Sequence, residues 1–363
     1  MSLIVLGDLA FTGILSEQPE YNPSRFEKVI PILRSSGMVI ANLEVPIKID
    51  DAKNEYKNFI HYSRYNQTRD LLKLLNIGCV SLANNHIYDC MMPGLMATIN
   101  LLDSIGIYHT GAGWLPEHVE PVIFNVGNKR VSFFSYVDVS TNPKTENFPD
   151  LLINYFSFEK VAQDIKRIKS RADIVIVSLH WGVDYSNFYT KEQQQIGQEL
   201  LQAGADIILG HHPHTIQPYE MYGNKLIFYS LGQLCFGDIF HNGQLRALNR
   251  KTKLGIITEI NLHNTPKPVF HPTIEKENNF IYLSRINIDQ KLKRLSFMNK
   301  KIHANRTIML LVRIKETVYD RFYDYFFGYY RNFFHQIFAV FLNYNKIYYI
   351  IRDLRSHKKN FRP

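Results

Sequence analysis

The stretch GADIILGHHPHTIQPYE, residues 204–220, ends an apolar run at Leu209 and then sets a glycine and three histidines, His211, His212 and His214, in five positions. Packing gives no reason for such a cluster. Metal coordination does, because neutral imidazole offers a ring-nitrogen lone pair. Other apolar runs also end in polar residues: LIVLGD in Asp8, VIANLE in Glu44, VSLANNH in Asn84, Asn85 and His86, VIVSLHWG in His180, and FYSLGQ near Gln233. In open α/β sheets, ligands bind beyond the carboxyl ends of the strands, so these groups can share one cleft. Two carboxylates, an amide oxygen and several imidazoles suit one or two divalent transition ions such as Mn, Zn or Fe. Such ions polarise a phosphoryl or carbonyl oxygen and lower the pKa of water. A histidine outside the metal shell can protonate a leaving group.

Taken singly, each residue has a plainer reading. Gly-Asp after a strand is most often a turn, a lone His180 is more often structural, Glu44 can be a cap or a surface carboxylate, and Asn84-Asn85 can be turn residues. Recurrence at the same end of successive strands is what weighs against coincidence.

The elements that must position these residues follow from the pattern of apolar runs. SLIVL, GMVIANL, IGCVSLA, DIVIVSL, ADIIL, KLIFYSL and GIITEINL read as strands. Helix-length segments fall near residues 24–35, 66–75, 92–105, 158–170 and 190–203. PVIFNVGNKRVSFFSY reads as a hairpin turning at Gly127-Asn128, and PVFHPTIEK as a last strand of the core. Alternating strands and helices predict a layered α/β fold with sheet covered by helices. The segment YKNFIHYS, residues 56–63, reads as a strand that is either on the substrate side, with Lys57 and His61 near an anionic group, or an exposed edge. Trp181 and Tyr185 either wall the cleft or pack in the core.

The chain has 363 residues and a net charge of +9. From Lys291 onward 16 Lys and Arg face 4 acidic residues, a surplus of +12, so residues 1–290 carry −3. The region with the candidate site is therefore not a basic nucleic-acid binder. Three cysteines with no CxxC point to a reducing compartment. The start, MSLIVLGDLAFTG, has no basic n-region and no apolar run long enough for a signal peptide, and no window reads as a clear membrane span. A cytoplasmic location is expected.

The ordered set GDLAFTG, NLEVPI, SLANNHIYD, HWGVDY, GADIILGHHPHTIQPYE and YSLGQLCFG resembles the CapA-type capsule synthesis family, associated with poly-γ-glutamate and other capsules, across residues 2–240. That family is related to calcineurin-like metallophosphoesterases. The resemblance implies a four-layer sandwich, two central β-sheets flanked by helices, assigned to residues 1–285; the shift in composition beyond about Arg285 marks off a basic, aromatic-rich helical tail over 286–363. It implies metal ligands at Asp8, Glu44, Asn85, His180, His212 and His214, with His86 as general acid and Asp89 orienting it. His211 is a weaker candidate. Metallophosphoesterases open with Asp-x-His, whereas this chain has Ala10 at the third position and Glu44 in place of a bridging Asp. Gln233 stands where an asparagine is expected.

The implied function is a metal-dependent hydrolase or transferase in capsule or surface-polymer synthesis, with metal-activated water attacking a phosphoryl or acyl centre of an anionic polymer, a phosphoester or an amide. The other reading is a non-catalytic assembly factor of a synthase complex. Residues 317–352, TVYDRFYDYFFGYYRNFFHQIFAVFLNYNKIYYIIR, read as a helix with a very wide apolar face and a polar stripe roughly 120° wide. This segment fits the inner face of a membrane, a synthase partner or the chain's own domain.

Overall fold

In the computed structural model, residues 2–17, 22–57, 60–237, 239–241, 244–246, 251–262, 268–276 and 280–316 are described. The strands are Ser2–Leu9 (β1), Met38–Leu43 (β2), Cys79–Ser81 (β3), Tyr108–Thr110 (β4), Ala112–Gly113 (β5), Val122–Val126 (β6), Lys129–Val137 (β7), Leu152–Ile153 (β8) and Ile174–His180 (β9). They continue with Ile207–His211 (β10), Tyr219–Tyr222 (β11), Lys225–Phe228 (β12), Gln233–Cys235 (β13), Ile239–His241 (β14), Gln244–Arg246 (β15), Leu254–Asn261 (β16), Pro268–Glu275 (β17) and Ile281–Leu283 (β18). The α-helices are Ile14–Glu17 (α1), Ile30–Arg34 (α2), Tyr65–Leu74 (α3), Met91–Ser104 (α4), Phe158–Ile168 (α5), Lys191–Ala203 (α6), Ile288–Ala304 (α7) and Arg306–Ile314 (α8).

Two sheets carry the fold. The first runs β18-β17-β16-β1-β2-β3-β4, with β13 also pairing β1. The second runs β11-β12-β10-β9-β7-β6. Side chains alternate across a strand, and β1 shows what that does here. Leu3 and Val5 face the second sheet, joining Phe133, Ile176, Leu209 and Phe228 in a core between the sheets. Ile4 and Leu6 face outward and pack under Leu33 of α2, Leu71 and Leu72 of α3, and Leu95 and Ile99 of α4. The second sheet repeats the arrangement: Val175, Val177 and Ile208 turn outward beneath Val161 and Ile165 of α5 and Leu200 of α6. The result is the expected four-layer sandwich of helix, sheet, sheet and helix. Each fully buried aliphatic side chain contributes about 1.5–3 kcal/mol, so strands buried on both faces specify the layers strongly.

The hairpin at Gly127 forms as β6 and β7, and α3, α4, α5 and α6 lie where the periodicity predicts them. The helix expected over residues 24–35 is instead a short 3-10 turn, Pro23–Phe26, followed by α2. Pro31 has no amide hydrogen and its ring crowds the carbonyl four residues earlier, so one continuous helix cannot form. The strand expected over residues 56–63 is absent among its described residues. Ser63 makes one isolated bridge with Ile47, while the His61 amide goes to the Asp89 carboxylate and that of Tyr56 to Asn54.

The compact unit spans Met1–Glu316. It therefore takes in α7, whose Ile288 and Leu292 pack on Ile216 and Ile256, and extends past residue 285. The tail helix expected over 317–352 lies outside the described residues.

Candidate metal centre

The first sheet delivers the carboxylates and the second the imidazoles. Asp8 is near the end of β1, Glu44 follows β2, Asn84–His86 follow β3, His180 closes β9 and His211 closes β10. Gln233 opens a strand rather than ending one: β13 runs beside β1 with Gln233 opposite Asp8, and its side chain donates to Glu275 Oε2 at 3.3 Å.

Asp8, Glu44 and His180 are all buried, and each offers a ligand atom within 4.8 Å of the others. His214 joins them, with Nδ1 3.0 Å from Asp8 Oδ2 and Nε2 3.4 Å from Glu44 Oε1. Asn85 reaches the same place, its Oδ1 standing 2.9 Å from His180 Nε2. The ring of His212 lies 4.9 Å from that of His180, and its Nε2 is 3.3 Å from Asp184 Oδ1. His211 has a different job: its Nδ1 lies 3.1 Å from Asp8 Oδ1 and steadies that carboxylate.

The turn carrying the histidines is built tightly. A Cβ on Gly210 would sit 1.9 Å from the Tyr229 carbonyl oxygen, so only glycine lets β10 and the chain after β12 approach this closely. His212 and His214 both have positive φ, +94° and +55°. A non-glycine residue there stores strain that the surroundings must hold, a pattern concentrated at functional sites.

Burial would raise the Asp8 carboxyl, but the partners His211 and His214 hold it well below its ordinary value. The Glu44 carboxyl is pushed well above its ordinary value by burial and by the nearby Asp8 and Asp184, against the pull of His214 and Lys57. His214 is desolvated, yet Glu44 and Asp8 carry it up to about 9. Burial, reinforced by neighbouring His212, pushes His180 well down and keeps it neutral. Glu44 Oε1 has no hydrogen-bond partner although it is buried. A buried carboxylate oxygen with ring nitrogens at 3.4 and 4.0 Å but no hydrogen bond, beside a second carboxylate and neutral imidazole, is the donor set that a divalent cation completes. Asp8, Glu44, Asn85, His180 and His214 thus fit a metal. Ala10 does not contribute: it is buried against Val45 and Phe236.

Next to this cluster, His86 Nδ1 is 2.8 Å from Asp89 Oδ2. Asp89 also accepts the His61 amide at 2.7 Å and pairs through Oδ1 with Lys57 Nζ at 3.0 Å. Lys57 Nζ donates to the Asn85 carbonyl as well. The His61 ring stands edge-on to His86, 4.5 Å between centroids. Burial and the charges of Lys57, His214 and His212 push the His86 imidazole well below its ordinary value. Burial likewise pushes the Cys90 thiol up to about 12, which leaves it inert as a nucleophile. Trp181 belongs to the core, stacked on Tyr229, while the Tyr185 ring lies 6.1 Å from His214 at the site.

Asn42 and Asp184 were not singled out by the sequence. Asn42 Nδ2 lies 2.9 Å from Asp8 Oδ1 and 3.3 Å from Glu44 Oε2. An asparagine inside a strand otherwise rich in apolar residues was the available signal.

Among solved structures, the calcineurin-like phosphoesterase YfkN from Bacillus subtilis aligns at a TM-score of 0.47 and 12% identity, covering 86% of this chain and 98% of that one, a distant likeness. Capsule biosynthesis protein CapA of Bacillus anthracis is 32% identical over 263 residues, 67% of this chain and 63% of that protein, so the chain spans less than two thirds of that relative. PGA biosynthesis protein CapA of Bacillus subtilis (strain 168) is 31% identical over 290 residues, 76% of each chain. Residues 2–238 match the family described as bacterial capsule synthesis protein PGA_cap, and the chain belongs to that family.

Proposed function

We propose that this protein is a metal-dependent hydrolase or transferase acting in the synthesis of a capsule or other surface polymer. The observation that carries this reading is the buried grouping of Asp8, Glu44 and His180 beside the His86–Asp89 pair. Asp8, Glu44, Asn85, His180, His212 and His214 would hold the cation, with Mn, Zn and Fe the candidates. Bound there, a divalent cation supplies Lewis acidity toward a phosphoryl or acyl oxygen and makes water a better nucleophile at neutral pH.

The chain's own groups do the rest. Asp89 accepts the Nδ1 hydrogen of His86, which leaves Nε2 as the nitrogen able to exchange a proton with the reacting group. Lys57 neutralises Asp89 and anchors the Asn85 backbone. The Tyr185 ring lies 6.1 Å from that of His214. An anionic polymer, a phosphoester or a γ-glutamyl amide matches such a centre.

The test is metal content of the purified wild type beside His180→Ala, after loading and desalting. Near-stoichiometric metal in the wild type and its loss in the variant support the reading, and a screen of phosphoesters and γ-glutamyl amides follows. Metal in neither protein refutes it. That outcome favours the second reading, a non-catalytic assembly factor, for which the buried apolar packing of Ala10 speaks.

The basic, aromatic chain end supports placing the protein at the inner face of a membrane or against a synthase partner. Among the described residues no helix is long and apolar enough to cross a membrane. Cosedimentation of the full chain with anionic but not neutral vesicles is expected for a surface-bound protein. No cosedimentation with either vesicle type removes the membrane placement.

A further inference from the structure

Asp184 stands at the rim of the site with its side chain 57% exposed, and its Oδ1 lies 3.3 Å from Nε2 of buried His212. A carboxylate only accepts hydrogen bonds, so a neutral His212 facing it carries its ring hydrogen on Nε2. The bare nitrogen is then Nδ1, which is buried and has no hydrogen-bond partner. The ring that carries it lies 4.9 Å from the His180 ring and 6.2 Å from the His214 ring, centroid to centroid. The backbone amide of the same residue lies 3.4 Å from Asp8 Oδ2.

The loop carrying Asp184 is fastened to the histidine segment on both sides of it. Trp181 N donates to the His211 carbonyl at 3.1 Å, and Tyr185 N to the Pro213 carbonyl at 2.9 Å. Ser186 O accepts from Thr215 Oγ1 and from Gln217 Nε2. Gly182 and Tyr185 bend the loop at φ +91° and +61°. With the loop backbone fastened on both sides, Asp184 has less freedom than the partners of an ordinary surface ion pair, whose flexible side chains gain little by meeting.

We infer that Asp184 is a positioning residue: its charge, 3.3 Å from Nε2 of His212, favours the ring hydrogen on that nitrogen and so leaves Nδ1 free for the cation. Carboxylate partners of this kind orient metal-binding histidines and raise their basicity, and losing them weakens metal binding by roughly 10–100-fold. The purpose assigned to Asp184 rests on the metal centre proposed above. The tautomer assignment does not.

The experiment compares wild type, Asp184→Ala and Asp184→Glu, each labelled with ¹⁵N-histidine. Long-range ¹H–¹⁵N correlation spectra of metal-free protein separate the two imidazole tautomers, and His212→Asn identifies the His212 signals. The wild type is expected to show hydrogen on Nε2, Asp184→Ala a mixed or Nδ1–H form, and Asp184→Glu the wild-type form. Titration with Mn²⁺ and with Zn²⁺ is expected to show affinity roughly 10–100-fold weaker in Asp184→Ala and largely restored in Asp184→Glu. Because Asp184 is exposed, the melting midpoint of the metal-free alanine variant stays at the wild-type value, which separates positioning from unfolding. An unchanged tautomer in Asp184→Ala overturns the inference, and a changed tautomer with unchanged affinity overturns its link to the cation. If the wild type binds neither ion, the metal centre falls, while the tautomer comparison still decides what Asp184 does.

Discussion

The side-chain amide of Asn42 lies 2.9 Å from Asp8 Oδ1, so a neutral donor, not a cation, is the in-sheet neighbour of this buried carboxylate. The same nitrogen is 3.3 Å from Glu44 Oε2 and therefore sits between two acids. Asn84 Nδ2 in turn donates to Asn42 Oδ1 at 3.2 Å, which sets the amide's orientation. Asn42→Ala should lower the stability of the metal-free protein by about 1.5–3 kcal/mol, the usual worth of a hydrogen bond to a charged group. Asn42→Asp should do more harm, because it adds a third buried carboxylate, and added Mn²⁺ should narrow that deficit. Urea unfolding with and without Mn²⁺ measures both, and an equal deficit in the two conditions counts against a cation at this place.

Glu44→Gln separates stability from binding. Burial pushes the Glu44 carboxyl well up, so a neutral isostere should cost the metal-free protein no more than the Glu44 pairing with His214 at 3.4 Å. Saturating metal should raise wild-type stability by about 2.7 kcal/mol at one hundred times its dissociation constant and leave the variant unmoved. Thermal shift with graded Mn²⁺ reads this directly. A variant that gains as much as the wild type shows that Glu44 is not a ligand.

Lys57 and Asp89 form a pair whose side chains are 7% and 0% exposed. Removing one partner of a buried pair strands the other charge. Lys57→Met should therefore cost about 3 kcal/mol, and adding Asp89→Asn to it should recover much of that loss. If the His86–Asp89 contact matters for proton transfer, the double variant regains stability without regaining turnover. Recovery of both would reduce Asp89 to a structural role.

How far the sequence reaches is clear from these same residues. Asp8, Glu44, Asn85, His180, His212 and His214 could be picked out because each follows an apolar run, and a strand's direction is local information. Which strands join which sheet is not local. β1 pairs β16 along its first half and β13 at Asp8 and Leu9, contacts that close loops of well over 200 residues and leave no periodic trace. Asn42 went unnoticed for the same reason: although Glu44 is only two residues away, its partner Asp8 meets it only when β1 and β2 align. Asp184 carries no local signal either: its loop is fastened to Pro213, a contact formed only in the folded chain. The break between Pro23–Phe26 and α2 was readable from Pro31, a local rule that the apolar periodicity outweighed.

Away from the candidate metal centre, Asp164 on α5 gives a stability test whose sign can be worked out. Burial would raise its carboxyl, but the Tyr136 hydroxyl at 2.8 Å, Arg167 and Lys160 hold it below its ordinary value. A carboxyl depressed in the folded state adds stability above the unfolded pKa, near 3.9 for aspartate. That contribution disappears as pH falls through the folded value. Arg167 and Lys160 are solvent-screened, so the Tyr136 bond carries most of it, about 1 kcal/mol. Asp164→Asn should be less stable than wild type by that amount at pH 7, and the gap should close below about pH 4. Urea unfolding across this range measures it, and a gap that stays constant to pH 2.5 would show that the carboxylate's charge contributes nothing to holding α5 on the sheet.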